Sequence, residues 1–389
     1  MKKHIHLIAA ARPNFMKIAP LYHALKKVAW ANPVIVHTGQ HYDVNMSDAF
    51  FADLRLPEPD IHLGIGSGTH AEQTGQVMIA YEEMLNDQKP DMVIVVGDVN
   101  STIACTLAAA KISYGRMGEG QAGQSRTASS VNEEDRPMIA HLEAGLRSFD
   151  RSMPEEINRL ATDVLADILW TPSPDADQNL LKEGVAPHKI VRVGNIMIDS
   201  LEMLRHKIEE LSIHMDLGLT KKEYGVVTLH RPSNVDNPAV LQGLCESLNR
   251  ISQMLPLVFP VHPRTRKNLE KTGLMDSLAG NKRLFLLEPQ SYIKFMNLVF
   301  NCRMVITDSG GIQEETTYLG IPCLTMRPNT ERPATIHEGT NKLCRTDQVV
   351  EQAETILSGG TRHRTVPEFW DGKTSGRIIE SIKSFMQIP

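Results

Sequence analysis

The sequence predicts an α/β fold made of two doubly wound, Rossmann-like domains. Short apolar runs alternate with helix-length stretches along all 389 residues. Most runs are continuous in Val, Ile and Leu, the pattern of strands buried on both faces of a parallel sheet. There are about eleven such runs, roughly twice what one five- or six-stranded doubly wound sheet holds.

The first strand is HIHLIAA (4–10). The preceding MKK imitates a signal peptide, but His4 and His6 interrupt the apolar run and Arg12 ends it. PVIVHT (33–38), MVIVVG (92–97), MIAHLEA (138–144), ILWTPS (168–173) and IVRVG (190–194) follow, with helices expected over 16–29, 69–87, 101–112 and 155–166. A domain boundary falls after Gly194, giving a first domain over 1–194 and a second over 195–371. The second holds GVVTLH (225–230), LVFPVH (257–262), LFLLEP (284–289), MVITDS (304–309) and PCLTMR (322–327), with helices over 237–254, 291–300 and 311–318. A terminal amphipathic segment, about 372–389, is expected to pack back on the first domain. Paired domains of this kind hold their ligand in the intervening cleft, beyond the carboxyl ends of the strands. The stretch 113–137, rich in Gly, Ser, Gln and charge, is longer than ordinary connections and reads as an insertion, a surface loop in preference to a lid.

Composition narrows the function. Hydrophobic residues make up 41% and charged residues 22%, values of a soluble globular chain. Lys plus Arg total 41 against 46 acidic residues, so no basic field exists to wrap a nucleic acid. No apolar stretch is long enough for a membrane span. Five cysteines, odd in number and without a Cys-x-x-Cys pair, fit a reducing cytoplasm. There is no P-loop, no His-Glu-x-x-His and no clustered metal-ligand spacing.

The sharpest local signal is MVITDSGGIQEETTYLG (304–320). A strand runs into Ser309-Gly310-Gly311, whose glycines let backbone N–H groups at a helix start approach an anion. The competing reading is a simple helix cap at Asp308 or Ser309. Glu315, one turn in, suits a ribose diol. A helix terminus contributes only about 0.3–1 kcal/mol to an exposed anion, so a diphosphate requires cations as well. Arg12, Lys17, His230, Arg231, His262 and Arg264 all follow predicted strands and are expected to converge there. Asp98 in GDVNST and Glu143 in HLEAGLRS lie at or near strand ends; a buried Glu143 is costly unless paired or functional. Glu155 in SMPEEINRL fits a capping box with Ser152 and an i,i+4 pair with Arg159. Asp98, Glu143 and Glu155 together make a candidate acid/base cluster.

ARPNFMKIAPL, TGQHYD, GDVNSTIA, HLEAGLRS, MPEEINR, VGNIMID, HRPSNVD, VHPRTR, TDSGGIQEE and TERPAT occur in an order that resembles the non-hydrolysing UDP-N-acetylglucosamine 2-epimerases, over about residues 5–345. The resemblance implies a GT-B arrangement and interconversion of UDP-GlcNAc and UDP-ManNAc without cofactor or metal. The implied chemistry is anti elimination of UDP to a 2-acetamidoglucal, followed by re-addition. It further implies a cytoplasmic homodimer serving cell-surface polysaccharide synthesis. By motif position, Asp98, Glu143, Glu155 and His230 look catalytic. Arg12, Lys17, Arg159 and His262 look like substrate contacts, Ser309, Gly310 and Gly311 a phosphate site, and Glu315 a ribose ligand. Ser233 and Ala334 replace acids of the family pattern, and YDVNM (42–46) replaces its usual R-x-M continuation. The chain also resembles the branch acting on UDP-2,3-diacetamido-2,3-dideoxyglucuronic acid. A hydrolysing epimerase and a GT-B glycosyltransferase are compatible with the same diphosphate-binding features.

Overall fold

The structure, a computed structural model, describes residues 2–39, 51–114, 135–360 and 365–389. YDVNM and nearly all of the expected insertion lie outside these residues. Contacts divide the chain into Met1–Ser200 with Asp371–Pro389, and Leu201–Trp370. The division falls inside one helix, Ile196–Glu209.

The first unit is built on seven strands: β1 (Lys3–Ala9), β2 (Ala31–His37), β3 (Ile61–His62), β4 (Met92–Val96), β5 (Met138–Leu142), β6 (Ile168–Thr171) and β7 (Ile190–Arg192). All pairs are parallel, in the order β3-β2-β1-β4-β5-β6-β7. Ile8, Val36, Val93, Val95 and Ile139 pack on one face against Tyr81 and Leu85 of helix His70–Gln88 and Cys105 of helix Asn100–Lys111. The closing helix, Thr374–Phe385, belongs to this unit; Asp199 accepts from the Thr374 and Ser375 amides at 3.0 and 2.7 Å.

The second unit holds β8 (Gly225–Thr228), β9 (Leu257–Pro260), β10 (Leu284–Leu287), β11 (Met304–Thr307), β12 (Cys323–Thr325) and β13 (Asn341–Leu343). They too are all parallel, in the order β10-β9-β8-β11-β12-β13. Leu241, Leu244, Leu248 and Ile251 of helix Pro238–Met254 cover Val227, Phe259 and Ile306.

In each sheet the chain winds outward in one direction and then returns to wind the other way. The reversal falls between β1 and β4 in the first unit and between β8 and β11 in the second. At such a switch point the two flanking loops diverge and leave a crevice at the strands' carboxyl ends, where ligands of doubly wound sheets bind. The segments leaving β1, β4, β8 and β11 carry most of the residues singled out from sequence.

Candidate active site

In the first unit, β1 leads into helix Arg12–Lys26, which starts four residues before the expected 16 because Pro13 is preset for a first turn. Arg12 is exposed at its first position. Asn14 ties the segment to β4: its side chain accepts from the Ala11 amide at 3.0 Å and donates to the Val96 carbonyl at 3.1 Å. One turn on, Lys17 Nζ donates to Glu143 Oε2 at 2.5 Å.

Glu143 does not continue β5. It occupies the following turn in the left-handed region, φ 71°, which costs a non-glycine residue about 1–2 kcal/mol. The turn directs its carboxylate toward the β1 and β4 loops. The side chain is 5% exposed; Oε2 is held by Lys17, and Oε1 is buried with no partner. Gly97 suits this place through its left-handed backbone, φ 67°, and a Cβ there would also crowd Lys17 Nζ at 3.2 Å.

Asp98 follows Gly97 and is gripped by Arg159 Nε at 3.0 Å and Nη2 at 2.9 Å. Arg159 also pairs with Glu156, whose carboxylate accepts from the Ser148 amide and hydroxyl at 3.0 Å and the Phe149 amide at 2.9 Å. The expected Glu155–Arg159 pair is therefore replaced by Glu156, three residues away, and Asp98. The expected capping box is absent as well. Met153 is the cap position of helix Pro154–Leu165, and Ser152 turns back to Asp150 at 2.6 Å. Pro154 at the first turn shifts the helix start one residue beyond Ser152. Glu155 lies exposed on that turn. Lys17, Asp98, Glu143 and Arg159 are thus brought together; Arg12 and Glu155 occupy exposed first turns of their helices.

In the second unit, Asp308 follows β11 and is fully buried. It accepts from the His230 amide at 3.0 Å, the Arg231 amide at 2.9 Å, Asn234 Nδ2 at 3.0 Å and His230 Nδ1 at 2.9 Å. Burial opposes its ionisation, but His230, Asn234 and the Arg231 amide outweigh it and hold the carboxyl below its ordinary range. With Nδ1–H committed to Asp308, His230 keeps Nε2 as an acceptor on a ring that is 38% exposed. Asp308 is thus spent on the β8 loop and does not cap the next helix.

Ser309 occupies the cap position of helix Gly310–Tyr318 without a side-chain cap bond, and its own amide donates to Thr307 Oγ1 at 3.0 Å. A Cβ on Gly311 would meet nothing within 4 Å, whereas one on Gly310 would lie 3.0 Å from Arg332 Nη1. Arg332 pairs with Glu314 at 2.8 Å and Glu331 at 2.5 Å. Sequence reading missed Arg332, Glu314 and Asn14; the TERPAT and ARPNFMK blocks contained two of them without marking a role. Tyr292 donates to Glu315 at 2.6 Å, yet burial pushes the Glu315 carboxyl up to about 8. His262 stacks obliquely at 5.5 Å from His230 and accepts from the Arg264 amide at 3.2 Å, capping helix Pro263–Lys271. The Arg264 side chain is committed to Asp236 at 2.8 Å.

The chain matches the sequence profile described as UDP-N-acetylglucosamine 2-epimerase over residues 23–115 and 127–383. It belongs to the UDP-N-acetylglucosamine 2-epimerase family, and so to the isomerases. The break at 116–126 falls inside the segment read as an insertion. A UDP-N-acetylglucosamine 2-epimerase of Methanocaldococcus jannaschii is 38% identical over 384 residues, covering 96% of this chain and 97% of that one. A UDP-2,3-diacetamido-2,3-dideoxy-D-glucuronate 2-epimerase of Pseudomonas aeruginosa is also 38% identical, over 379 residues, 96% of this chain and 97% of that one. The crystal structure of the Methanocaldococcus jannaschii UDP-GlcNAc 2-epimerase in complex with UDP-GlcNAc and UDP superposes with a TM-score of 0.82 at 37% identity, covering 98% and 99% of the two chains.

Proposed function

We propose that this epimerase interconverts UDP-GlcNAc and UDP-ManNAc. The observation that carries the reading is Glu143: a buried carboxylate in a strained turn, paired through one oxygen and open at the other. A structural carboxylate has no need of that strain or of an unpartnered oxygen.

A carboxylate of the Asp98, Glu143 and Glu155 group takes the proton from C2. The C–H electrons form the C1=C2 bond of a 2-acetamidoglucal, and the C1–O electrons leave with UDP. In the return step a UDP oxygen attacks C1 while C2 receives a proton on the opposite face. Charge develops on the leaving diphosphate, so fixed donors act when they are needed. The first-turn amides of Gly310 and Gly311 supply them, with the Ser309 hydroxyl, Arg12, His230 and His262 as further contacts. Lys17 and Arg159 hold Glu143 and Asp98 in place. Glu315 takes the ribose hydroxyls.

A homodimer is part of this proposal. Helix Pro154–Leu165 buries Glu156, Arg159, Thr162 and Asp163 and exposes Ile157 and Val164, an apolar face suited to a second copy. Five buried free thiols support a cytoplasmic setting. Supply of amino sugar for cell-surface polysaccharide completes the proposal.

Incubation with UDP-GlcNAc alone in D2O should give a second UDP-sugar and deuterium at C2 by proton NMR. Free sugar with stoichiometric UDP would instead identify a hydrolysing enzyme. The second reading, a UDP-2,3-diacetamido-2,3-dideoxyglucuronate 2-epimerase, is favoured by a relative of that activity at 38% identity. Turnover of that uronate with none of UDP-GlcNAc would select it.

A further inference from the structure

Behind the first-unit site lies a buried chain of polar groups that the chemistry above does not use. His141, wholly buried on β5, sets Nε2 2.8 Å from the Gly97 carbonyl and Nδ1 2.6 Å from Asp163 Oδ1. The second Asp163 oxygen accepts from the Gly145 amide at 3.1 Å and from Arg147 Nη2 at 2.7 Å. Arg147 in turn pairs with Glu183 at 2.7 Å. Asp163 therefore touches both turns that carry the acids. Through His141 it holds Gly97, the residue before Asp98; directly it holds Gly145, two residues after Glu143. Burial alone would push the Asp163 carboxyl up, but His141 and Arg147 outweigh it and keep it below the ordinary range.

We infer that Asp163 is a positioning residue for the epimerisation, the common anchor that fixes the spacing of Asp98 and Glu143. The inference rests on those two acids acting on the sugar, as assigned above. Misplacing a reacting group by about 1 Å costs on the order of 100-fold in rate, so slack in this anchor falls on turnover ahead of nucleotide binding.

The test compares Asp163→Asn with Asp199→Asn. Asp199 is a buried carboxylate of the same unit that holds the closing helix and touches neither turn. C2 deuterium exchange with UDP-GlcNAc should fall about 10–100-fold in Asp163→Asn and less than about threefold in Asp199→Asn. UDP affinity by calorimetry should stay within about twofold in both. Should Asp163→Asn fail to fold, His141→Gln and His141→Asn take its place. Gln keeps a donor toward the Gly97 carbonyl and Asn one toward Asp163, so each breaks the link between them and both should lose exchange about 10–100-fold with UDP affinity kept. Equal exchange in the Asp163 and Asp199 variants, undiminished exchange in either His141 variant, or loss of UDP affinity in step with rate would overturn the inference. Absence of exchange in the unsubstituted enzyme with both UDP-GlcNAc and the diacetamido uronate would overturn the functional reading, and this inference with it.

Discussion

Lys17 holds one oxygen of Glu143 at 2.5 Å and leaves the other buried without a partner. The lysine fixes the carboxylate without saturating it, the condition a proton-transfer group needs.

Glu143→Gln should leave UDP affinity near that of the parent and lower C2 exchange by about 10²–10⁴-fold. Calorimetry with UDP and deuterium incorporation by NMR read the two effects separately. Parallel loss of binding and of cooperative unfolding would assign the residue a structural role instead.

Glu315 makes stability depend on pH. Its carboxyl is raised from 4.5 to about 8 in the folded chain, chiefly by burial. The folded state therefore keeps a proton that the unfolded state has released. The contribution is complete below the unfolded value and is lost as pH rises through the folded one. Denaturant titrations from pH 5 to 9 should show stability declining across that window, and Glu315→Gln should flatten the decline. The same variant should weaken UDP binding by about two- to tenfold, because the proposed ribose contact exchanges a carboxyl oxygen for an amide nitrogen.

Gly311 and Gly97 should respond in opposite ways. An alanine at 311 meets no atom within 4 Å and sits on a helix, so Gly311→Ala should keep or raise the unfolding free energy, by up to about 1 kcal/mol, while weakening UDP binding. At 97 the left-handed backbone and the 3.2 Å approach to Lys17 Nζ make Gly97→Ala destabilising by about 1–2 kcal/mol, with exchange lost alongside.

Asp308→Asn should destabilise by about 3 kcal/mol, since one buried carboxylate serves two amides, Asn234 and the His230 ring. Its folded value is lowered, so its contribution is present above the ordinary carboxylate range and fades as pH falls through the lowered value. Parent and variant should converge in stability on acidification, as seen by circular dichroism.

Much of this was readable from the amino-acid order. Continuous Val/Ile/Leu runs marked most of the strands, because parallel sheets bury both faces. The two-residue β3 and the three-residue β13 escaped, since neither lies in a continuous Val/Ile/Leu run. Glu143 stood out through its apolar neighbours, though not its turn, since backbone handedness leaves no mark in hydropathy. Asp163 was invisible. Helix Pro154–Leu165 is amphipathic, and the usual rule would turn Ile157 and Val164 inward. Here Glu156, Arg159 and Asp163 turn inward: Arg159 meets Asp98, Asp163 meets His141 and Arg147, and Glu156 meets Arg159 of its own helix and the Ser148 and Phe149 amides. Such an inversion is set by partners distant in sequence.

The left-handed backbone at Glu143 also bears on how this enzyme would respond to engineering for heat resistance. Glycine would relax that turn by about 1–2 kcal/mol, which makes position 143 an attractive target for a search scored on melting temperature alone. Such a search would trade the carboxylate proposed to react for robustness. Durability and turnover compete there within a single side chain.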